Sequence, residues 1–184
     1  MAVSGRGWTQ ELRYFWFEVM TPADVWRPSE ALDDELRRRF GREWSALRLR
    51  PAHEFLGSPH EALAAVLLFD QIPRNIFRGS ARTFASVPLA RDITRGAIAK
   101  GFDRQLTRNE RQFLYMPLMH SEDIPDQRLS LRLFTRLGRG FGMPFARSHY
   151  RAVARFGRFP HRNDVLGRSS TAAEEKAVAN GMKW

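Results

Sequence analysis

At 184 residues, with 43% apolar residues, five tryptophans and fourteen phenylalanines, the chain is long enough for one well-cored domain and too rich in large apolar side chains for the disordered class. It has no cysteine, which excludes a disulfide framework and a thiolate metal site and fits a cytoplasmic address. The formal charge of +10 is concentrated in residues 127–168, which hold ten arginines against one acid, Asp164, while the rest of the chain is close to balance.

Helix-start chemistry recurs along the chain, and with it apolar spacing of three and four. Leu12, Phe15, Trp16 and Val19 predict a helix over 8–20; further helices follow over 29–40 and 42–49, divided at Gly41. Ser58-Pro59-His60-Glu61 reads as a capping box with proline at the first helical position and opens a helix over 59–71. Its segment Ala62 to Phe69 is apolar on every side, so it is expected to be the central helix; at eight residues it is far too short to span a membrane, and no membrane partner is expected. A helix over 88–100 ends before Gly101, and Thr107-Arg108-Asn109-Glu110 is a second box, opening 107–116. Leu129, Leu133, Phe134 and Leu137 predict 125–137, stopped at Gly138; a helix over 144–156 stops at Gly157; Thr171-Ala172-Ala173-Glu174 is a third box, opening 171–180. Val, Ile and Thr never alternate over a strand-length window, so the expectation is all-α, with eight or nine helices as stacked antiparallel hairpins in one domain.

One motif is written twice. Residues 72–80 read IPRNIFRGS and 159–169 read FPHRNDVLGRS, each with an apolar residue and a proline ahead of an Arg-Asn pair. Read as connecting loops of two degenerate helical repeats, the copies would lie on one rim. Arginine offers a planar fork of donors and asparagine a two-faced amide, so such a pair suits holding a carboxylate or tying down a turn.

FDQIPRNIFRG at 69–79, ERQFLYMPLMHSED at 110–123 and RFGRFPHRNDVLGR at 155–168, with Phe15-Trp16-Phe17 near the start, RRRFG at 37–41 and the GRSST entry to the last helix, resemble the signature blocks of a bacterial family catalogued as domain of unknown function 924. The resemblance runs nearly the whole length. It implies an all-α fold similar to tetratricopeptide-repeat superhelices, and no established activity. Where the family commonly has Asp ahead of the helix at Pro88 this chain has Val87, so the cap is expected from Ser86.

Candidate chemistry gathers in those blocks. Asp70, Arg74 and Asn75, then His120, Glu122 and Asp123, then Arg158, His161, Arg162 and Asn163 are the parts of an acid/base or anion-binding site. Three carboxylates (Asp70, Glu122, Asp123) against three arginines (Arg74, Arg158, Arg162) would equally neutralise one another in a structural network, and the balance favours that reading. As a site, Arg74 and Arg162 would hold a small anionic or carboxylate ligand, Asn75 and Asn163 would shape the loops, with Asp70, Asp123 and Arg158 beside them. His120, His161 and Glu122 are the catalytic candidates. A metal on His120, Glu122 and Asp123 is disfavoured by spacing, since residues two apart on a helix point to different faces. No nucleophile elbow or phosphate-binding glycine loop is present, Gly138-Arg139-Gly140-Phe141-Gly142 reading as a helix stop, and no cofactor is expected. Arg128, Arg132 and Arg136, and Arg147, Arg151 and Arg155, recur at four and make a ridge on each of two helices. These ridges offer a competing role in docking an acidic protein, with nucleic acid less favoured because no aromatic platform accompanies them. Oligomeric state is not legible.

Overall fold

The computed structural model describes residues 7–21, 23–24 and 29–181, which form eight α-helices joined by short 3-10 turns, with no strand among them. Helix α1 runs Trp8–Tyr14 and continues through a π turn, Phe15–Val19; α2 is Glu30–Leu47. Helix α3 is continuous from 59 to 76, as Pro59–Val66, a π turn Leu67–Gln71, and Ile72–Ile76. Then follow α4 (Val87–Ala99), α5 (Arg108–Met119), α6 (Ile124–Leu137), α7 (Met143–Phe156) and α8 (Ala172–Ala179).

Helix α3 is the central element, as its composition predicts. Every residue from Ala62 to Asp70 is fully buried, and α1, α4 and α5 pack around its first half while α2 covers its second. Burying one leucine completely is worth about 1.5–3 kcal/mol, so Leu63, Leu67 and Leu68 make this the best-anchored stretch of the chain. Helices α5, α6 and α7 then pack in succession. A small separate cluster of Ala152, Val153 and Phe159, with Ile124 against it, fastens the chain after α7 to that helix.

Several expectations change. The two helices expected over 29–40 and 42–49 are one, because Leu36, Phe40 and Trp44 keep one buried stripe running through Gly41, and an interior glycine costs only about 1 kcal/mol. The first Arg-Asn copy is no loop: Ile72–Ile76 prolongs α3. Pro73 has no N–H to give the Phe69 carbonyl, and the Ser86 hydroxyl fills that place at 2.7 Å while accepting from Trp44 Nε1 at 2.9 Å. Ser86 is thereby spent and does not cap α4. The second copy is a short 3-10 turn, Pro160–Arg162, so the copies are not equivalent connections. Of the three boxes, those at Thr107 and Thr171 are reciprocal, while Ser58 caps Glu61 N–H without a return bond. Glycines 138, 140 and 142 all have positive φ, in keeping with a helix stop between α6 and α7.

A methyl group on Gly41 would meet only Arg37 Cγ, at an ordinary 3.7 Å. Gly41→Ala should therefore raise the unfolding free energy by about 0.5–1 kcal/mol in urea titration; a loss of stability would show that α2 needs a flexible joint there.

Candidate functional site

Asp70 lies in the π turn of α3 with no solvent exposure. Its carboxylate accepts from His120 Nδ1 at 2.9 and 2.8 Å, from Gln71 Nε2 at 2.6 Å and from Arg74 Nη2 at 3.2 Å. Continuation of the helix past Pro73 is what places Arg74 one turn beyond Asp70. His120 closes α5, and the turn after it is locked from α6: Gln127 Nε2 donates to the carbonyls of Met119 and Ser121, and buried Asp126 accepts from Ser121 Oγ and from Arg95.

The second Arg-Asn copy is brought to the same place by Glu122. Its carboxylate accepts the Phe159 N–H at 2.7 Å and two bonds from Arg168, at 2.7 and 3.0 Å. Phe159 is fully buried, and Arg162, at 5% exposure, lies with its guanidinium 4.2 Å from the centre of the Phe159 ring and 4.7 Å from that of Phe84. Arg74 stands 5.9 Å from the same Phe84 ring. Phe159 also meets His149 of α7, ring centres 5.4 Å apart, and His149 meets His120 at 5.8 Å. The contacts close into a ring that passes from Asp70 through His120, His149, Phe159, Arg162, Phe84 and Arg74 back to Asp70, with His161 outside it against Phe159 at 5.9 Å.

Charge around the ring is uneven. Burial pushes the Asp70 carboxyl up, but the charges of His120 and Arg74 and the bonds from His120 and Gln71 outweigh it and hold it well below the usual carboxylate range. Burial, then Arg74, lowers His120 to about 4 against the pull of Asp70. Burial, then His120, lowers His149 to about 3, and burial, then Arg162, lowers His161 to about 4. Burial, then the like charge of Arg74, brings Arg162 down to about 9, so it remains a cation at neutral pH. The ring then holds one anion, two cations and neutral imidazoles. The Arg162 backbone is bonded, its N–H donating to the Phe159 carbonyl at 3.1 Å, but its guanidinium makes no hydrogen bond or ion pair among the described residues, and its buried Nε has no partner.

The neutral network expected from three acids and three arginines is partitioned differently. Arg158 turns away to Glu174, at 2.7 and 2.9 Å, and to the Ser169 carbonyl. The Asp123 carboxylate is half exposed and, among the described residues, pairs with Arg95 alone, at 3.8 Å. Glu122, a catalytic candidate from the sequence, is occupied as a brace between Arg168 and Phe159. Asn75 bonds within its own helix to the Gln71 carbonyl, and Asn163 holds Ser170 Oγ at 3.0 Å, so both shape backbone. His120, Glu122 and Asp123 diverge, and no three acids or imidazoles among the described residues are placed to share a metal. Asp70, Arg74, His120 and Arg162 do come together, with His161 beside Phe159.

Four participants went unread in the sequence. His149 had a legible signal, an imidazole among Ala146, Ala152 and Val153 on the buried face of an amphipathic helix. Phe159 stood inside the motif itself. Arg168 also stood inside the motif, though its pairing with Glu122 is a product of tertiary folding, and Phe84 had no local mark at all.

The lowered imidazoles set a pH dependence. A histidine neutral in the fold at about 4 and titrating near 6.5 when unfolded binds its proton first in the unfolded state, so its stabilisation is complete above about 6.5 and is lost as pH falls toward 4. The melting temperature should be highest above pH 7 and fall steeply between 6.5 and 4, with Asp70 adding a further loss at lower pH. His149→Phe, which keeps a ring against Phe159, should reduce proton uptake on unfolding in that window by about one proton; an unchanged slope would mean that His149 is not buried neutral.

Comparison with known proteins agrees with this architecture. The structure of a protein of unknown function, ATU0120 from Agrobacterium tumefaciens, superposes with a TM-score of 0.88 at 36% sequence identity, covering 94% of this chain and 97% of that one. No curated protein matches. The profile of a bacterial protein family of unknown function, DUF924, matches residues 12–182, and the chain belongs to that family.

Proposed function

We propose that the protein binds a small anion between Arg162 and Arg74. The observation that carries this reading is the Arg162 guanidinium, buried, flanked by two aromatic rings and unpaired among the described residues. An isolated buried charge costs several kcal/mol, and stacking on Phe84 and Phe159 returns only about 0.5–2 kcal/mol per ring. Arg74 gives Asp70 a single bond and leaves its own Nε unmatched, so donors remain for a ligand. A carboxylate or phosphate fits such forks and would cancel the excess positive charge.

A second reading concerns the outer faces of α6 and α7, where an open groove of ≈ 470 Å³ is lined by Leu131, Arg132, Thr135, Arg136, Met143 and Arg147. Its arginines form no ion pair with any described residue, and its apolar floor suits an acidic protein segment better than nucleic acid. We read the helix pairs here as a tetratricopeptide-like stack offering that surface. Among the described residues no helix is long and apolar enough to cross a membrane.

Two measurements follow. With phosphate or small carboxylates near one hundred times the dissociation constant, the wild type should gain about 2.7 kcal/mol. Arg162→Met should abolish that gain while leaving the unliganded protein within about 1 kcal/mol of wild type, or more stable. A loss of about 3–5 kcal/mol without ligand would instead identify Arg162 as half of a structural pair. For the groove, binding of an acidic peptide should weaken steeply with salt and vanish in Arg132→Glu/Arg136→Glu; salt-independent binding would discard the second reading.

A further inference from the structure

The two imidazoles of the ring carry the same proton arrangement. His149 Nδ1 lies 2.8 Å from the Phe145 carbonyl oxygen, which can only accept, so that nitrogen bears the hydrogen. His120 Nδ1 lies against both oxygens of the Asp70 carboxylate and is a donor for the same reason. In neutral rings each Nε2 is then an acceptor, the hydrogen bonds of both imidazoles running through Nδ1. The site thus presents arginine donors together with imidazole lone pairs. An anion oxygen without a proton would set lone pair against lone pair at Nε2, whereas one bearing a proton would donate to it.

Building on the anion-binding reading, we propose that the ligand is inorganic phosphate, an anion that keeps a transferable proton beside its negative charge at neutral pH, and that His120 Nε2 is the base receiving that proton. In the transfer the O–H bond of the phosphate hydroxyl breaks, an Nε2–H bond forms, the electron pair stays on the ligand oxygen, and the Asp70 carboxylate balances the imidazolium. His120 is the base rather than His149 because only His120 is backed by a carboxylate; His149 is backed by a neutral carbonyl. The charged and titratable groups facing His120 are Asp70 and Arg74 from α3, His149 from α7 and Arg162 from the turn after it. In the empty site burial and the arginine charges keep His120 neutral. A bound anion offsets those charges and raises the proton affinity of the base as the ligand arrives.

Phosphate and sulfate separate the possibilities, because they share a tetrahedral shape while only phosphate keeps a proton at neutral pH. Calorimetry on the wild-type protein at fixed ionic strength should show phosphate binding about tenfold or more tighter than sulfate, the worth of one charge-assisted hydrogen bond. His120→Gln should reduce phosphate to the level of sulfate, and Arg162→Met should remove both. Nitrogen NMR of the wild type, which needs no variant to fold, should show His120 Nε2 gaining a proton on addition of phosphate. Equal affinities, or a His120 signal indifferent to phosphate, would overturn the role of His120 and leave anion binding standing. Failure of both anions to bind would overturn both.

Discussion

A carboxylate without solvent exposure, set in α3 directly after its wholly apolar stretch from Ala62 to Phe69, is the constraint on which the rest of the arrangement depends. Asp70 must be met on every side, since removing an ionised carboxyl from water costs far more than one hydrogen bond returns. Satisfying it requires Gln71 beside it, Arg74 one turn on, and His120 from another helix. Each of these has its own supports. Arg74 reaches Asp70 because α3 continues through Pro73, with Ser86 serving the Phe69 carbonyl that the proline cannot. His120 is held by a turn stapled from α6 by Gln127 and Asp126.

The same logic explains why one charge is left over. Glu122 spends itself on Arg168 and the Phe159 N–H, Glu174 takes Arg158, and Asp126 takes Arg95. Every buried acid near the ring has its partner before Arg162 is reached. Glu122 and Asp70 favour its charge from beyond pairing distance, while what its guanidinium stacks against is aromatic faces, which tolerate it without neutralising it. Brace and ring are also continuous: Glu122 fixes Phe159, and Phe159 touches Arg162, His149 and His161, so the position of the free cation is set by a bond outside the ring.

Much of this was legible in the sequence, and the remainder failed for identifiable reasons. The all-helical class followed from capping boxes and apolar spacing, and the burial of Ala62 to Phe69 from the absence of a polar face. The gathering of Asp70, Arg74, His120 and Arg162 was legible because those residues sit in dense blocks. Partner choice was not: counting charges near one another in sequence gave a neutral set, whereas Arg168 and Glu174, outside that count, take up Glu122 and Arg158. Gly41 marked a false boundary because tertiary packing of Phe40 and Trp44 outweighs a small backbone penalty. The doubled motif looked like repeated loops, yet one copy is helix and the other a 3-10 turn; what the copies share is the destination of their arginines, the Phe84 ring.

The claim at the centre of this account is that Arg162 is kept unpaired for a ligand. A crystal structure of the protein grown in phosphate tests it directly. Tetrahedral density is expected with oxygens about 3 Å from the guanidinium nitrogens of Arg162 and Arg74, with one oxygen toward His120 Nε2. A structure in which Arg162 instead reaches a carboxylate of the protein, with only water between the two arginines, would contradict it.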